Sequence, residues 1–213
     1  MKDLYIIGAG GLGREVSWIV ERINESKKIW NIKGFIDDDI ALKGKILDNY
    51  PVLGDCTYLE NVKESYVVSA VAAPKPKRAI VEKIKNYDIK FATIIDPSAI
   101  IASSAGISEG SVIAPGCIVS IDALIGRHNI IEPGCTIGHD AILDDYCTLY
   151  PGVNVSGNTR CKEGCEIGTG TQLLQGLSIA KDARVGAGAV VNKNIEEAGT
   201  YVGVPAYRLT NDR

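Results

Sequence analysis

Ile113-Ala114-Pro115-Gly116-Cys117-Ile118, Val119-Ser120-Ile121-Asp122-Ala123-Leu124, Ile125-Gly126-Arg127-His128-Asn129-Ile130 and Ile131-Glu132-Pro133-Gly134-Cys135-Thr136 are four consecutive hexapeptides, each opening on a branched aliphatic residue. The beat extends outward in both directions without an insertion, from Ile95 to Val191, and only Cys161 breaks the aliphatic rule. Four residues after most of these positions stands a compact side chain, such as Ala105, Ser111, Cys117, Ala123, Thr159 or Ala189. A period of six fits neither the 3.6 of an α-helix nor the two of a strand. It predicts a parallel β-helix in which each hexapeptide supplies one flat side and its turn, with three sides to a coil. The aliphatic residue then points inward and the compact one lines the corner. Glycine recurs three residues after the aliphatic place, at Gly110, Gly116, Gly134, Gly152, Gly164, Gly170, Gly176 and Gly188, with Asp122, Asp140, Asn158 and Asp182 in four further hexads. That pattern predicts a turn with positive φ, filled by glycine or an Asn/Asp-like residue.

The first ninety residues follow a different rule. Leu4–Ile7 reads as a buried strand, followed at once by Gly8-Ala9-Gly10-Gly11-Leu12-Gly13 and by Val16, Ile19, Val20 and Ile23 at helical spacing. Strand, glycine turn and helix in this order form the setting in which backbone N–H groups at a helix N-terminus cradle phosphates. A second strand, Ile32–Ile36, ends in Asp37-Asp38-Asp39, where a carboxylate can meet a ribose hydroxyl or stand in solvent as a turn residue. Tyr66–Val71 and the segment Lys77–Asn86 continue the alternation as strand and helix. The expected organisation is a Rossmann-like α/β domain over 1–92, a β-helix over 93–196 and a tail over 197–213. A nicotinamide dinucleotide suits the glycine pattern, but about ninety residues is only half of a full dinucleotide fold; a uridine- or thymidine-type sugar nucleotide suits the short version equally well.

The 213 residues carry a formal charge of −3, and no Lys/Arg-rich run points to nucleic acid or a membrane surface. No charged-then-apolar leader and no apolar run near twenty residues is present, which reads as a cytoplasmic protein. Cys117, Cys135, Cys147 and Cys165 fall on the compact corner place and Cys161 on the aliphatic place, so the cysteines are expected to be free, buried fillers.

Taken together, Gly8–Glu15, Phe35-Ile36-Asp37-Asp38, Ile137-Gly138-His139-Asp140, Pro151-Gly152-Val153 and the closing Gly199–Ala206 run resemble the sialic acid O-acetyltransferase and nucleotide-amino-sugar N-acetyltransferase family. The resemblance covers essentially the whole chain. It implies a left-handed β-helix, a homotrimer and acetyl-CoA as co-substrate, with no metal. His139 is the general base it implies, with Asp140 fixing the ring; an imidazole titrating near pH 6.5 suits that task at neutral pH. The matching acetyl-CoA positions are Thr148, Gly157, Thr169 and Ala187, with Pro205 and Ala206 toward the adenine end. The matching sugar-nucleotide positions are Gly10, Gly11, Leu12, Asp37, Asp38 and Ala72.

Two departures from the family pattern stand at Glu132, where Asn is common, and at Thr148, where a second histidine is common. The implied reaction is acetylation of the amine of a UDP- or dTDP-linked 4-amino sugar. O-acetylation of sialic acid or another sugar hydroxyl is the alternative within the class, and a non-catalytic nucleotide-binding assembly module the alternative outside it. A three-histidine zinc site is excluded by the chain's two histidines. The other histidine, His128, is expected to be a solvated turn residue without a chemical role.

Overall fold

A computed structural model describes residues 1–210, which divide into two compact units, Met1–Pro97 and a second starting at Ser98.

The first unit is a six-stranded sheet with two helices. β1 (Lys2–Ile7), α1 (Gly11–Ser26), β2 (Trp30–Ile36), β3 (Ile46–Leu47), β4 (Tyr50–Gly54), β5 (Ser65–Ser69), α2 (Pro74–Ile84) and β6 (Ile89–Phe91) follow in order. The sheet order is β3-β4-β2-β1-β5-β6, parallel throughout except for the β3–β4 pair. Val16, Ile19 and Val20 are the buried apolar stripe of α1, as their helical spacing requires. Tyr5, Ile7, Ile36, Cys56, Leu59, Val67 and Ile84 form a core cluster. The unit ends a few residues beyond the boundary expected at 92. Asp96 is fully buried in it, accepting from Arg22 Nε at 2.6 Å and from the second guanidinium nitrogen at 3.1 Å.

The second unit is the left-handed parallel β-helix. Strands of two residues pair in register with those one coil away, 18 residues on, as in Thr136↔Asn154 and Ile137↔Val155. Face one runs from Val112–Ile113 through Ile130–Ile131, Thr148–Leu149 and Glu166–Ile167 to Arg184–Val185. Face two runs from Ile100–Ile101 to Val190–Val191, and face three from Gly106–Ile107 to Ser178–Ile179. Every sixth residue from Ile113 to Val191 is buried, at 2% exposure or less. Ile101 and Ile107 are only half-buried because the first coil of this unit has a neighbour on one side alone. Part of the expected tail continues the stack, and its last residues, 211–213, lie outside the described residues. Thr200–Val202 pairs parallel with Arg184–Val185 and antiparallel with Tyr207–Arg208.

The compact corner residues do more than fill space. Seven of them donate to the carbonyl fifteen residues on: Ser111 to Gly126, Cys117 to Glu132, Cys135 to Tyr150, Cys147 to Lys162, Thr159 to Leu174, Cys165 to Ala180 and Thr171 to Gly186. Each bond ties one coil to the next. The thiols therefore act as weak donors as well as fillers, a role shared with hydroxyls at the same place. All six cysteines are buried free thiols. The Cys117 thiol beside it, together with burial, pushes Cys135 above the ordinary thiol range.

The positive-φ place is occupied as expected by the eight glycines and by Asp122, Asp140, Asn158 and Asp182, but also by His128 (φ 55°) and Tyr146 (φ 64°). These two bulky residues lie on neighbouring coils with their rings stacked, centroids 5.2 Å apart and planes 14° apart. The stacking contact offsets part of the cost of a left-handed backbone for a large side chain.

Candidate active site

Three edges join the faces, and the first turn residue of each hexad marks them. Face one turns into face two at Pro115, Pro133, Pro151, Thr169 and Ala187. Face two turns into face three at Ser103, Ile121, His139, Gly157 and Gln175.

His139 stands on the second of these edges with its side chain 49% exposed. Its Nδ1 lies 2.8 Å from Asp140 Oδ2. A carboxylate only accepts, so Nδ1 is the donor, and in the neutral ring Nε2 is then the nitrogen that keeps its lone pair. Asp140 occupies the left-handed turn place (φ 57°), and its backbone N–H bonds Ile121 O on the preceding coil. On the following coil, Asn158 N–H bonds His139 O at 2.9 Å. The backbone beneath the imidazole is thus held from both sides, and the ring faces the α-carbon of Gly157.

The positions matched to acetyl-CoA do not all gather here. Gly157 is on the histidine's edge. Thr169 and Ala187 are exposed on the other edge, one face away. A ligand touching both edges lies across the outward residues of face two, among them Asn154 and Gln172. Neither was singled out from the sequence, although the change along this face from Ile100 and Ile118 to Thr136, Asn154 and Gln172 is a visible signal. Thr136 donates to Asn154 Oδ1 at 2.5 Å, and Gln172 Nε2 to Gly170 O at 3.0 Å. Thr148 is fully buried on face one and offers no surface to a ligand within this chain. Glu132 follows face one, on the far side of face two from His139, and its carbonyl accepts the Cys117 thiol.

In the first unit the glycines separate by role. A side chain at Gly8 (φ 103°) meets Ala70 O at 2.9 Å, and one at Gly13 collides with Gly8 O, so both are demanded by the packing of strand, loop and helix. Gly10 and Gly11 have open space in front of them and are exposed, which suits a close approach by a ligand to the N-terminus of α1. Leu12 is half-buried beside them, as is Ala72 just after β5.

The Asp37 carboxylate accepts Ala9 N–H at 2.7 Å and Asp39 N–H at 2.9 Å. It therefore braces the glycine loop, with only its remaining lone pairs free for a ribose. Asp38 is exposed, and together with Asp37, Lys43, Asp55, Tyr58 and Asn61 it lines a cleft of about 310 Å³. Asp55 caps the short helical turn Cys56–Asn61; bonds from the Thr57 hydroxyl and N–H hold its carboxyl below the usual range.

His128 is not the solvated residue expected: it is 4% exposed, packed between Gly110 and the Tyr146 ring. A wider concavity of about 590 Å³ on face three contains none of the candidate residues. Its carboxylates are ion-paired, Asp144 with Arg160, Asp145 with Arg127 and Glu163 with Lys181. Among the described residues no cluster of His, Cys, Asp and Glu is arranged to hold a metal ion, and no helix is long and apolar enough to cross a membrane.

Comparison with known proteins agrees with this architecture. Residues 3–84 match the PglD N-terminal domain, and residues 122–157 match the bacterial transferase hexapeptide (six repeats). The acetyltransferase domain of PglB from Neisseria gonorrhoeae FA1090, in complex with acetyl coenzyme A, is 28% identical with a TM-score of 0.88, over 98% of this chain and 99% of that one. PerB from Caulobacter crescentus, in complex with CoA and GDP-perosamine, is 25% identical with a TM-score of 0.90, over 99% and 98%. WeeI from Acinetobacter baumannii AYE is 28% identical with a TM-score of 0.87, over 98% and 100%. A comparison with curated protein sequences returns no match.

Proposed function

We propose that this chain, an acetyltransferase built from a PglD N-terminal domain and bacterial transferase hexapeptide repeats, moves acetyl from acetyl-CoA to the amine of a nucleotide-linked amino sugar. The observation that carries the reading is the exposed His139–Asp140 pair on the edge of the β-helix, whose 2.8 Å contact at Nδ1 leaves Nε2 as the accepting nitrogen of the neutral ring. Acetyl-CoA supplies the acetyl group as a thioester, whose carbonyl carbon a neutral amine attacks. His139 Nε2 takes the proton that the amine sheds, and Asp140 stabilises the resulting imidazolium through Nδ1–H. His139 then returns the proton to the departing sulfur.

Gly157, Thr169 and Ala187 are the positions proposed to hold the co-substrate, with Asn154 and Gln172 between them. Gly10, Gly11, Leu12, Asp38 and Ala72 are those proposed for the nucleotide, with Asp37 holding the loop. The family resemblance implies a UDP- or dTDP-linked 4-amino sugar, and PerB adds GDP-linked sugars to the acceptors worth testing. A homotrimer is part of the proposal. Ile100, Ile118, Ile121 and Leu124 are 64%, 43%, 57% and 51% exposed, an apolar strip that reaches the coil just before His139 and suits contact with a second copy.

The test is a mass-spectrometric assay with acetyl-CoA and a panel of UDP-, dTDP- and GDP-linked 4-amino sugars, with free sialic acid alongside. The expected result is one acetyl group on the amine of one of these sugars. Acetylation of a sialic acid hydroxyl with none at any amine contradicts the proposal.

A further inference from the structure

Gly157 is a glycine without a backbone reason. Its φ lies outside the positive range that favours glycine, unlike Gly152 and Gly164 on either side of it in the sequence. The places stacked with it along the same edge carry side chains, Ser103, Ile121, His139 and Gln175. Gly138 offers the contrast. A Cβ there meets backbone, Gly157 N at 2.5 Å and the Ser156 carbonyl carbon at 2.8 Å. At Gly157 the three nearest atoms all belong to one imidazole: His139 Nε2 at 2.5 Å, Cε1 at 2.6 Å and Cδ2 at 2.9 Å. Even a methyl group needs the space the ring now fills.

We infer that Gly157 is a positioning residue for His139: its missing side chain is the seat that lets the imidazole lie against the next coil while Nδ1 stays bonded to Asp140. A larger residue swings the ring outward, lengthens the 2.8 Å bond to Asp140 and moves Nε2 from its place. Misplacement of a catalytic group by about 1 Å costs on the order of 10² in rate. The inference rests on the reading of His139 as the base. It is separate from any backbone contact between Gly157 and acetyl-CoA, because it concerns the volume beside the α-carbon.

A double-mutant cycle tests it. Gly157→Ala, His139→Ala and the double variant are compared with the wild type by steady-state kinetics in both substrates and by thermal melting. Gly157→Ala is expected to lower kcat by about 10–10² while the KM for acetyl-CoA changes less than about threefold. In the His139→Ala background the same substitution is expected to cost less than about twofold, since no ring remains to be displaced. Losses that multiply in the double variant, or a raised KM for acetyl-CoA at unchanged kcat, overturn the inference.

Melting keeps the test open if Gly157→Ala folds poorly. Vacating the ring must restore the melting temperature in the double variant, and a double variant as unstable as the single one overturns the steric argument. Full turnover by His139→Ala alone sinks the general-base reading, while the melts still report on the contact.

Discussion

The chain's two histidines sit on different edges of one β-helix, one place apart in the turn. His139 takes the first turn place, half-exposed, with Asp140 on Nδ1 and its ring against the α-carbon of Gly157 on the following coil. His128 takes the second, with φ 55°, buried to 4% and stacked between Gly110 and Tyr146. The same side chain is thus presented to solvent in one register and locked into the stack in the next. In a repeat of this kind the place within the hexad, and the residue 18 positions away, decide what a histidine can do.

The comparison depends on the inward register, and breaking that register has the largest expected effect. Ile167→Asp puts an unpaired charge among fully buried aliphatics and is expected to abolish folding. A soluble protein with an unchanged circular dichroism spectrum contradicts the register. Next in size is Tyr146→Ala, which removes the half-buried ring under His128 and is expected to cost about 2 kcal/mol in chemical denaturation. A loss below about 1 kcal/mol means that the stack is incidental.

Asn129, adjacent to His128, sharpens the contrast further. It occupies the compact corner place and is fully buried, with neither amide atom hydrogen-bonded. Asn129→Thr supplies the hydroxyl that ties coils together at Thr159 and Thr171, so a gain of about 1–2 kcal/mol is expected. A smaller effect separates Cys165→Ser from Cys165→Ala. The serine keeps a donor for Ala180 O and is expected to be more stable than the alanine by about 1 kcal/mol.

Smallest is an alkaline effect. Burial and the bond to Glu166 push the Tyr150 phenol up to about 12. A folded-state value above the ordinary 10 means stability fully present below pH 10 and lost as pH rises through about 12. Tyr150→Phe is expected to flatten that part of the stability–pH curve, and an unchanged curve contradicts the assignment.

Much of this was legible in the sequence because the β-helix is nearly one-dimensional. The period of six placed the inward aliphatics from Ile113 to Val191, and the glycine pattern placed the turns. What escaped needed a period of 18, since every third hexad shares an edge. On that count Thr169 and Ala187 part from His139, while Gly157 joins it. The bonds from Cys117 or Thr171 to a carbonyl fifteen residues on are invisible to a reading of the cysteines as apolar fillers. In the first unit, β4 was missed because Tyr50-Pro51-Val52-Leu53-Gly54 mixes strand formers with Pro and Gly, and β6 because it is three residues long. A carboxylate ending a second strand suits either a ribose hydroxyl or solvent, so the sequence leaves both open for Asp37. That it also holds Ala9 N–H is a tertiary contact across 28 residues.

The most direct test of the central claim is the turnover number of His139→Ala beside that of His128→Ala, at saturating acetyl-CoA with the acceptor found by the panel. Removal of a positioned base is expected to lower kcat by about 10²–10⁴ in His139→Ala, with the KM for acetyl-CoA little changed. His128→Ala is expected to lose stability while its folded fraction turns over at the wild-type rate. Wild-type turnover by His139→Ala, or a loss of comparable size in folded His128→Ala, contradicts the account.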